Sequence, residues 1–430
     1  FHSEKTPSFS VAPAKQIYHC FGCNSGGNVF SFIMEYQKIP FPEAIKILAD
    51  RYNIPIEFEK GDGSSELFSV LYDLHEIAVK LYQDNLFSPD GKDALNYLTQ
   101  RGLTEDILKQ FKVGFAHDTW DQLVLQCKGK GFTHSQILQS GLFTHSDKGT
   151  FDRFRSRIMF PVFHPSGKPI AFGGRIFNSD DPAKYLNSPE TPLYRKGSVF
   201  YGLQASRDAI RKEGYAVLVE GYMDFLKLYQ ASIHPVVAVS GTAFTPSHAT
   251  ALSRITNKVV LLYDGDEAGG NAAIRAGWVL LKADLEPSIV RPPEGQDPDD
   301  WVGDAGKESV ISAIELPQRY IDFHVEFNRG SELQGADRQQ YIIALVREIK
   351  GIENGIIRND MVRIISEKLM VDEQDLIRTM KSQRVNPVYN ADPELLPSPE
   401  VLFSNRVDKA LPFVVTGPDR QVVACQTEVT

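Results

Sequence analysis

Two short stretches hold the densest candidate chemistry in the chain. Val217-Leu-Val-Glu220-Gly221-Tyr-Met-Asp224 and Val259-Val-Leu-Leu-Tyr-Asp264-Gly265-Asp266-Glu-Ala-Gly269 each pass from apolar, partly β-branched residues straight into carboxylates and glycine. Such a run predicts a buried parallel strand that delivers acids at its carboxyl end, where open α/β sheets place their sites. Asp264 and Asp266 stand two apart, so on a strand they project to the same side. Glu220, from a neighbouring strand, and Asp224 just beyond it bring further carboxylates. Acids that converge without adjacent Lys or Arg repel one another unless a hard divalent cation neutralises them, and an all-oxygen donor set suits Mg²⁺ or Mn²⁺. The bland alternative makes Asp-Gly-Asp a polar turn capping the next helix, since Asp and Gly favour such positions. The Glu-Gly stretch upstream weighs against a turn alone.

A second set of metal-binding residue types lies near the N-terminal end: His2, a seventeen-residue gap, then Cys20-Phe-Gly-Cys23. Structural zinc takes four tetrahedral ligands, and three are on offer. His19 is a substitute by type, but its place beside Cys20 favours a surface position. The expectation is a site that binds zinc weakly or with water as fourth ligand. Only four cysteines occur, two of them in Cys-x-x-Cys, which favours metal binding over a disulfide framework.

Elements to position these residues follow from periodicity and composition. At 430 residues and 42% hydrophobic content the chain can bury sizeable cores in two to four domains. It contains no 18-residue apolar run, and its start lacks both an initiating Met and a signal-peptide pattern, so a piece of a longer cytoplasmic protein is expected. Residues 28–36 and 41–50 read as helices, and 59–65 as a linker. Residues 66–140 read as helical, with Leu67, Leu71, Leu74, Ile77, Ala78 and Leu81 forming one stripe. Residues 157–163 and 168–175 read as a β-hairpin around Pro-Ser-Gly167. From 215 to 290 strands and helices alternate, which requires a parallel sheet covered by helices. Residues 317–327, 339–349, 357–369 and 372–380 read as helices of a small bundle, and the last 46 residues, with six prolines, as a linker or disordered tail.

The net charge of −9 does not by itself suggest a nucleic-acid binder, but its distribution does. Residues 153–212 hold eleven basic against four acidic residues, a local +7, whereas residues 284–308 hold two against eight, a local −6. One side suits phosphate and the other metal.

Glu-Gly followed about forty residues later by Asp-Gly-Asp, each after a hydrophobic strand, resembles the TOPRIM module of bacterial primases, topoisomerases and some nucleases. Val219-Glu-Gly-Tyr-Met-Asp224 with Tyr263-Asp-Gly-Asp-Glu-Ala-Gly269 resembles bacterial DnaG-type primases in particular. Tyr97-Leu-Thr-Gln-Arg101-Gly-Leu, Gly173-Gly174-Arg175 and Lys184-Tyr-Leu-Asn-Ser-Pro extend the likeness. In that family the stretch at Phe1-His2 reads Cys-Pro-Phe-His, so a first zinc cysteine would precede this chain.

The resemblance implies an α/β and α+β multidomain fold. Residues 1–58 would be a zinc-ribbon template-binding domain, 66–214 a mixed α/β basic subdomain, 215–304 the TOPRIM subdomain, 305–384 the helical subdomain and 385–430 the tail. In the ribbon, Lys5, Phe9, Lys15 and Tyr18 suit stacking and phosphate contact, or equally an ordinary ribbon core and surface. The resemblance also points to Asp297-Pro-Asp299 as a further metal-binding pair. Metal is assigned to Asp264, Asp266, Asp297 and Asp299 with Asp224 assisting, while Glu220 holds metal or accepts the hydroxyl proton. Arg157, Arg175, Lys184 and Lys196 are candidates to hold template or triphosphate, with Arg101 a further phosphate contact. Ser198 departs from a basic residue common in the family and leaves that contact in doubt.

The implied function is DNA-dependent RNA synthesis of short primers on single-stranded DNA for chromosomal replication, by a monomer in the nucleoid-bearing cytoplasm. Its partners would be ribonucleoside triphosphates and a replicative helicase, whose docking domain is not recognisable here. The alternatives are a TOPRIM nuclease or topoisomerase, or a non-catalytic single-strand-binding module. None of the sixteen tyrosines announces a topoisomerase nucleophile.

Overall fold

The computed structural model describes residues 8–13, 16–23, 25–37, 41–52, 64–179 and 181–382. His2, Lys5, Lys15, residues 59–63 of the expected linker and the tail from 385 lie outside them. A small antiparallel sheet comes first: β1 (Phe9–Ala12), β2 (Ile17–Cys20) and β3 (Gly26–Gly27), followed by α1 (Val29–Gln37) and α2 (Phe41–Tyr52). Asn28 caps α1 as expected, its Oδ1 accepting from Ser31 N at 3.0 Å.

The basic region begins with α3 (Ser64–Leu86), α4 (Lys92–Gln100), α5 (Glu105–Gln110), β4 (Gly114–Ala116), α6 (Gln122–Cys127) and α7 (His134–Gln139). The hairpin β5 (Phe143–Ser146) and β6 (Gly149–Asp152) precedes β7 (Arg157–Phe163), β8 (Pro169–Ile176) and β9 (Tyr185–Asn187). Strands β4-β7-β8-β9 form an antiparallel sheet, with the expected hairpin turning at Gly167, φ 87°. Strand β4 interrupts a stretch read as wholly helical. Its three residues are all buried, and Gly114 lies so close to Tyr82 of α3 that a Cβ would meet backbone at 2.5 Å. That strand exists because of a distant partner, Gly114–Ala116 pairing with Arg157–Met159, which no local periodicity reports. The helix α3 also starts two residues inside the expected linker.

After α8 (Leu203–Glu213) come β10 (Ala216–Val219), α9 (Tyr222–Gln230), β11 (Val236–Ala238), α10 (Pro246–Ser253), β12 (Lys258–Leu261), α11 (Glu267–Lys282) and β13 (Glu286–Ile289). The chain ends its described part with α12 (Pro298–Ala305), α13 (Lys307–Glu315), β14 (Gln318–Arg319), α14 (Tyr320–Phe327), α15 (Gly335–Lys350), α16 (Gly355–Leu369) and α17 (Glu373–Ser382). The second sheet has the order β11-β10-β12-β13-β14, parallel through its first four strands. β14 is an antiparallel edge strand inside a stretch read as helix, so the sheet is mixed rather than wholly parallel.

Alternate residues of β10 feed opposite cores. Val217 and Val219 join α9, Trp301 and the basic region's sheet; Ala216 and Leu218 join α10, α11 and the C-terminal helices. The two sheets meet where Tyr222 of α9 lies on β8, its ring stacked on Phe160 at 4.9 Å between centroids. Gly173 permits this approach, since a Cβ there would stand 2.2 Å from the Tyr222 ring. Gly173→Ala is therefore expected to lower stability by about 1–3 kcal/mol through overpacking, read as a lower Tm in thermal unfolding. An unchanged Tm would mean the contact yields without cost.

Candidate active site

β10 and β12 lie side by side, but α9 leads from β10 to β11 on one flank while α11 leads from β12 to β13 on the other. Chain directions diverge there, and a crevice opens at the strands' carboxyl ends. It is a cavity of about 660 Å³, lined by the acids Glu220, Asp224, Asp264, Asp297 and Asp299 and by the basic residues Arg101, Arg175, Lys184 and Arg275.

Backbone amides at helix starts hold the acids in place. Asp224 accepts from Gly221 N at 2.9 Å and, through its other oxygen, from Asp299 N at 3.3 Å. Asp297 caps α12, accepting from Asp300 N at 2.9 Å. Asp266 caps α11, accepting from Gly269 N at 2.7 Å. Each helix start offers orphan N–H groups and the positive end of its dipole. Asp224, Asp297 and Asp299 each place a carboxylate oxygen within 4.8 Å of the others.

Burial makes this cluster costly to ionise. Desolvation first, then Asp264 and Asp266, push Glu220 up to about 7. Asp264 rises to about 6 by desolvation and its neighbours Asp297 and Asp266. Desolvation raises Asp224 well above the carboxylate range. Asp299 rises to about 7 by desolvation and its bond with Asp297, whereas Asp297, although partly desolvated, is held below its ordinary value by bonds with Asp299 and the Asp300 amide. Glu220 Oε1 and Asp299 Oδ1 are buried with no hydrogen-bond partner. Crowded oxygens, unmatched acceptors and raised pKa values together fit a divalent cation.

Arg101 supplies the charge nearest the trio, donating to Asp299 Oδ2 at 2.6 Å and standing 3.9 Å from Asp300. Gln230 at the end of α9 positions it, donating to Gly102 O and accepting from Thr104 N, both at 2.8 Å. Arg175 donates to the Tyr97 hydroxyl and lies over that ring, 5.1 Å from its centroid. Lys184 is exposed at the cavity edge.

β12 ends at Leu261, so strand alternation does not govern Asp264 and Asp266; Asp266 is an exposed cap of α11, still close enough for its charge to raise Glu220 and Asp264. Two sequence-based expectations are corrected. Arg157 offers nothing to a phosphate. It is 1% exposed, and its guanidinium donates to Gly174 O, Ala183 O and Asp181. Lys196 sits in a short 3-10 turn away from the cavity lining, its amide bound to Glu190. In the N-terminal sheet, Cys20 is buried at the end of β2 and Cys23 is exposed. A hydrogen bond from Ser8 holds the Cys20 thiol down to about 7, which favours the thiolate a metal needs. Tyr18 is buried with its hydroxyl on Glu35, so of the ring pair Phe9–Tyr18 only Phe9 meets solvent.

Residues without a sequence-based role also shape the site. Asn187 accepts from the Tyr222 hydroxyl at 2.8 Å and donates to Ser240 O at 2.9 Å, and Ser240 N donates to Glu220 O at 2.9 Å. This relay ties the basic sheet to the strand end carrying Glu220. Arg275 of α11 lines the cavity too. Its only advance signal is its spacing from Ala272, Ala276 and Val279.

Three family models match: CHC2 zinc finger over residues 1–64, DNA primase catalytic core N-terminal domain over 81–207, and Toprim-like over 217–302. A DNA primase of Enterococcus faecalis is 34% identical over 444 residues, covering 96% of this chain and 70% of that protein. The chain belongs to the bacterial DnaG-type DNA primase family. A Clostridium acetobutylicum primase is 39% identical over 88% of this chain, which spans 64% of that relative's length. Among solved primases, the zinc-binding and RNA polymerase domains from Aquifex aeolicus align with TM-score 0.63 and 31% identity, covering 88% of this chain and 91% of that one. A DnaG primase catalytic domain bound to single-stranded DNA aligns with TM-score 0.65 and 30% identity, covering 72% and 99% respectively.

Two outcomes follow from this primase geometry. Arg157→Ala is expected to cost about 1–3 kcal/mol by leaving the Gly174 and Ala183 carbonyls without their donor, measured by denaturant unfolding; an unchanged stability would mean these carbonyls find other partners. The raised acids stay protonated up to about pH 6 or 7. Their contribution to stability is present below the unfolded carboxylate values and is lost as pH rises through 6–7. A cation relieves that loss only once the acids ionise. The Tm gain from added Mg²⁺ is thus expected to be larger at pH 7.5 than at pH 5.5, and an equal gain at both would count against the cluster.

Proposed function

We propose that this chain is a DNA-dependent RNA polymerase that makes short RNA primers on single-stranded DNA during chromosomal replication. The observation that carries this reading is the cavity itself, whose lining brings Asp224, Asp297, Asp299 and Glu220, with one oxygen unpaired, together with Arg101, Arg175 and Lys184.

Nucleotidyl transfer joins a 3′-hydroxyl oxygen to an α-phosphorus while pyrophosphate leaves. A divalent cation, Mg²⁺ or Mn²⁺, held by Asp224, Asp297 and Asp299 with Asp264 beside them, would stabilise the negative charge on the entering and leaving oxygens. Arg175 and Lys184 bind the triphosphate and orient it against the acids. Arg101 balances Asp299 and presents its remaining donors to the same phosphates. Glu220 accepts the hydroxyl proton, and its value near 7 suits a base at neutral pH. Asp266 acts indirectly, by fixing the start of α11.

Template has a surface to follow on the basic region. Trp120 is 59% exposed, with the Arg155 guanidinium 3.9 Å from its ring centroid and Phe151 against its edge. An exposed ring sandwiched by a cation is a stacking platform for unpaired bases. Zinc at His2, Cys20 and Cys23, a replicative helicase partner and a monomeric cytoplasmic state complete the reading. Among the described residues no helix is long and apolar enough to cross a membrane.

The test is incorporation of labelled ribonucleotides on single-stranded DNA with Mg²⁺ or Mn²⁺. Wild-type protein is expected to yield short RNA products, and Glu220→Gln to reduce the rate by roughly 10²–10⁴-fold, the span typical of a general base. Template degradation without synthesis would make the nuclease the better reading, and binding without either activity would leave a single-strand-binding module.

A further inference from the structure

The stacking surface at Trp120 is held in shape by one buried residue outside the cavity. Trp120 stands directly ahead of α6, and the residue at the sequence position of that helix's cap is Asp121. Asp is favoured there. Yet the Asp121 side chain makes no cap bond and is exposed. The cap comes instead from Asp152, the last residue of β6, whose two carboxylate oxygens accept from Leu123 N at 2.7 Å and Val124 N at 2.9 Å.

Asp152 holds its neighbours through its backbone as well. Its amide donates to Trp120 O at 2.7 Å, and its carbonyl accepts from the Arg155 guanidinium at 2.6 Å. That guanidinium is the one lying over the Trp120 ring. A single residue, 3% exposed, thus bonds the turn that carries the ring, the helix that follows it and the cation on its face. The next residues serve the same end. Ser156 is buried with φ 48°, a conformation uncommon outside glycine, and its amide donates to His117 O at 3.2 Å. On a regular strand Arg155 and Arg157 would share a face. With a left-handed residue between them, Arg155 reaches the ring and Arg157 enters the core.

A local cap from Asp121 would satisfy an α6 amide equally well. A remote cap does something more: it fixes where the helix begins relative to β6, and therefore where Trp120 sits relative to Arg155. The arrangement is kept at a cost, because desolvation pushes the Asp152 carboxyl up to about 6 against the pull of its two amides. We propose that Asp152 is a positioning residue for template binding, one that touches no nucleotide but holds the Trp120 ring and the Arg155 guanidinium together as a preformed platform. The inference rests on the reading of Trp120 as a template contact, and adds what keeps that contact ordered before a base arrives. A loose ring and a loose arginine would each lose rotamer freedom on stacking, which weakens binding.

Fluorescence separates positioning from support of the fold. The chain has three tryptophans, and Trp278 and Trp301 are each 6% exposed, so acrylamide quenching of the DNA-free protein reports on Trp120. Asp152→Asn keeps the size but sets an amide group where one α6 amide needs an acceptor. It is expected to raise the quenching constant, and to raise the Kd for a single-stranded oligothymidylate about three- to tenfold, against about tenfold for Trp120→Ala. The triphosphate KM in primer synthesis is expected to change less than about twofold. In a Trp120→Ala background, Asp152→Asn is expected to add less than about twofold, whereas a residue that only supports the fold would weaken binding equally in both backgrounds. Arg155→Lys leaves the α6 cap intact and carries the test if Asp152→Asn does not fold: by removing the flat guanidinium held by Asp152 O, it too is expected to raise quenching. Unchanged quenching in folded Asp152→Asn or in Arg155→Lys would overturn the proposal, as would equal losses of affinity in the two backgrounds. If quenching rises as expected but Trp120→Ala binds DNA like wild type, the ring is positioned as proposed and the template reading of Trp120 fails.

Discussion

Repulsion among carboxylates is the constraint on which the catalytic end of this molecule depends. Two unit charges 4 Å apart at an effective dielectric of 20 cost about 4 kcal/mol, and here five acids line one half-dry cavity. The fold answers with donors rather than distance. Three helices, α9, α11 and α12, begin at the crevice, so their free amides point at Asp224, Asp266 and Asp297. Arg101 comes from a different part of the chain to neutralise Asp299, and proton uptake absorbs what remains. A cluster maintained at this cost is poised for a cation, because binding one converts a standing penalty into affinity.

The same constraint explains why the basic wall is fastened so firmly to the acidic one. A phosphate-binding surface displaced by an ångström from its metal loses its catalytic value. Tyr222 pressed on Gly173 fixes the distance between sheets, and the Asn187 relay carries that fixed distance to the backbone of Glu220. The buried Arg157 plays a comparable part within the basic sheet, stitching β7 to β8 and to the loop ahead of β9. Charges that look alike in composition thus divide into those that build the wall and those that face the substrate.

Opposite faces of one sheet also separate two tasks. The α9 face joins the basic region, whereas the α11 face joins the C-terminal helices.

Much of this was written in local pattern. Strands β10 and β11, and β12 beyond Lys258, are buried on both faces and read as apolar runs, and the helices around them announce themselves by Thr245-Pro246, Asp266 and Asp297-Pro298 at their starts. Glu-Gly and Asp-Gly-Asp sufficed to name a family. What tertiary structure alone decided was which acids meet. Asp224 joins Asp297 and Asp299 across more than seventy residues. β4 and β14, three and two residues long, exist through partners far away in sequence. Arg157, expected to hold phosphate, is buried for the same reason. Periodicity and capping are properties of adjacent residues and can be read from them, whereas burial, pairing and proximity depend on the path of the whole chain.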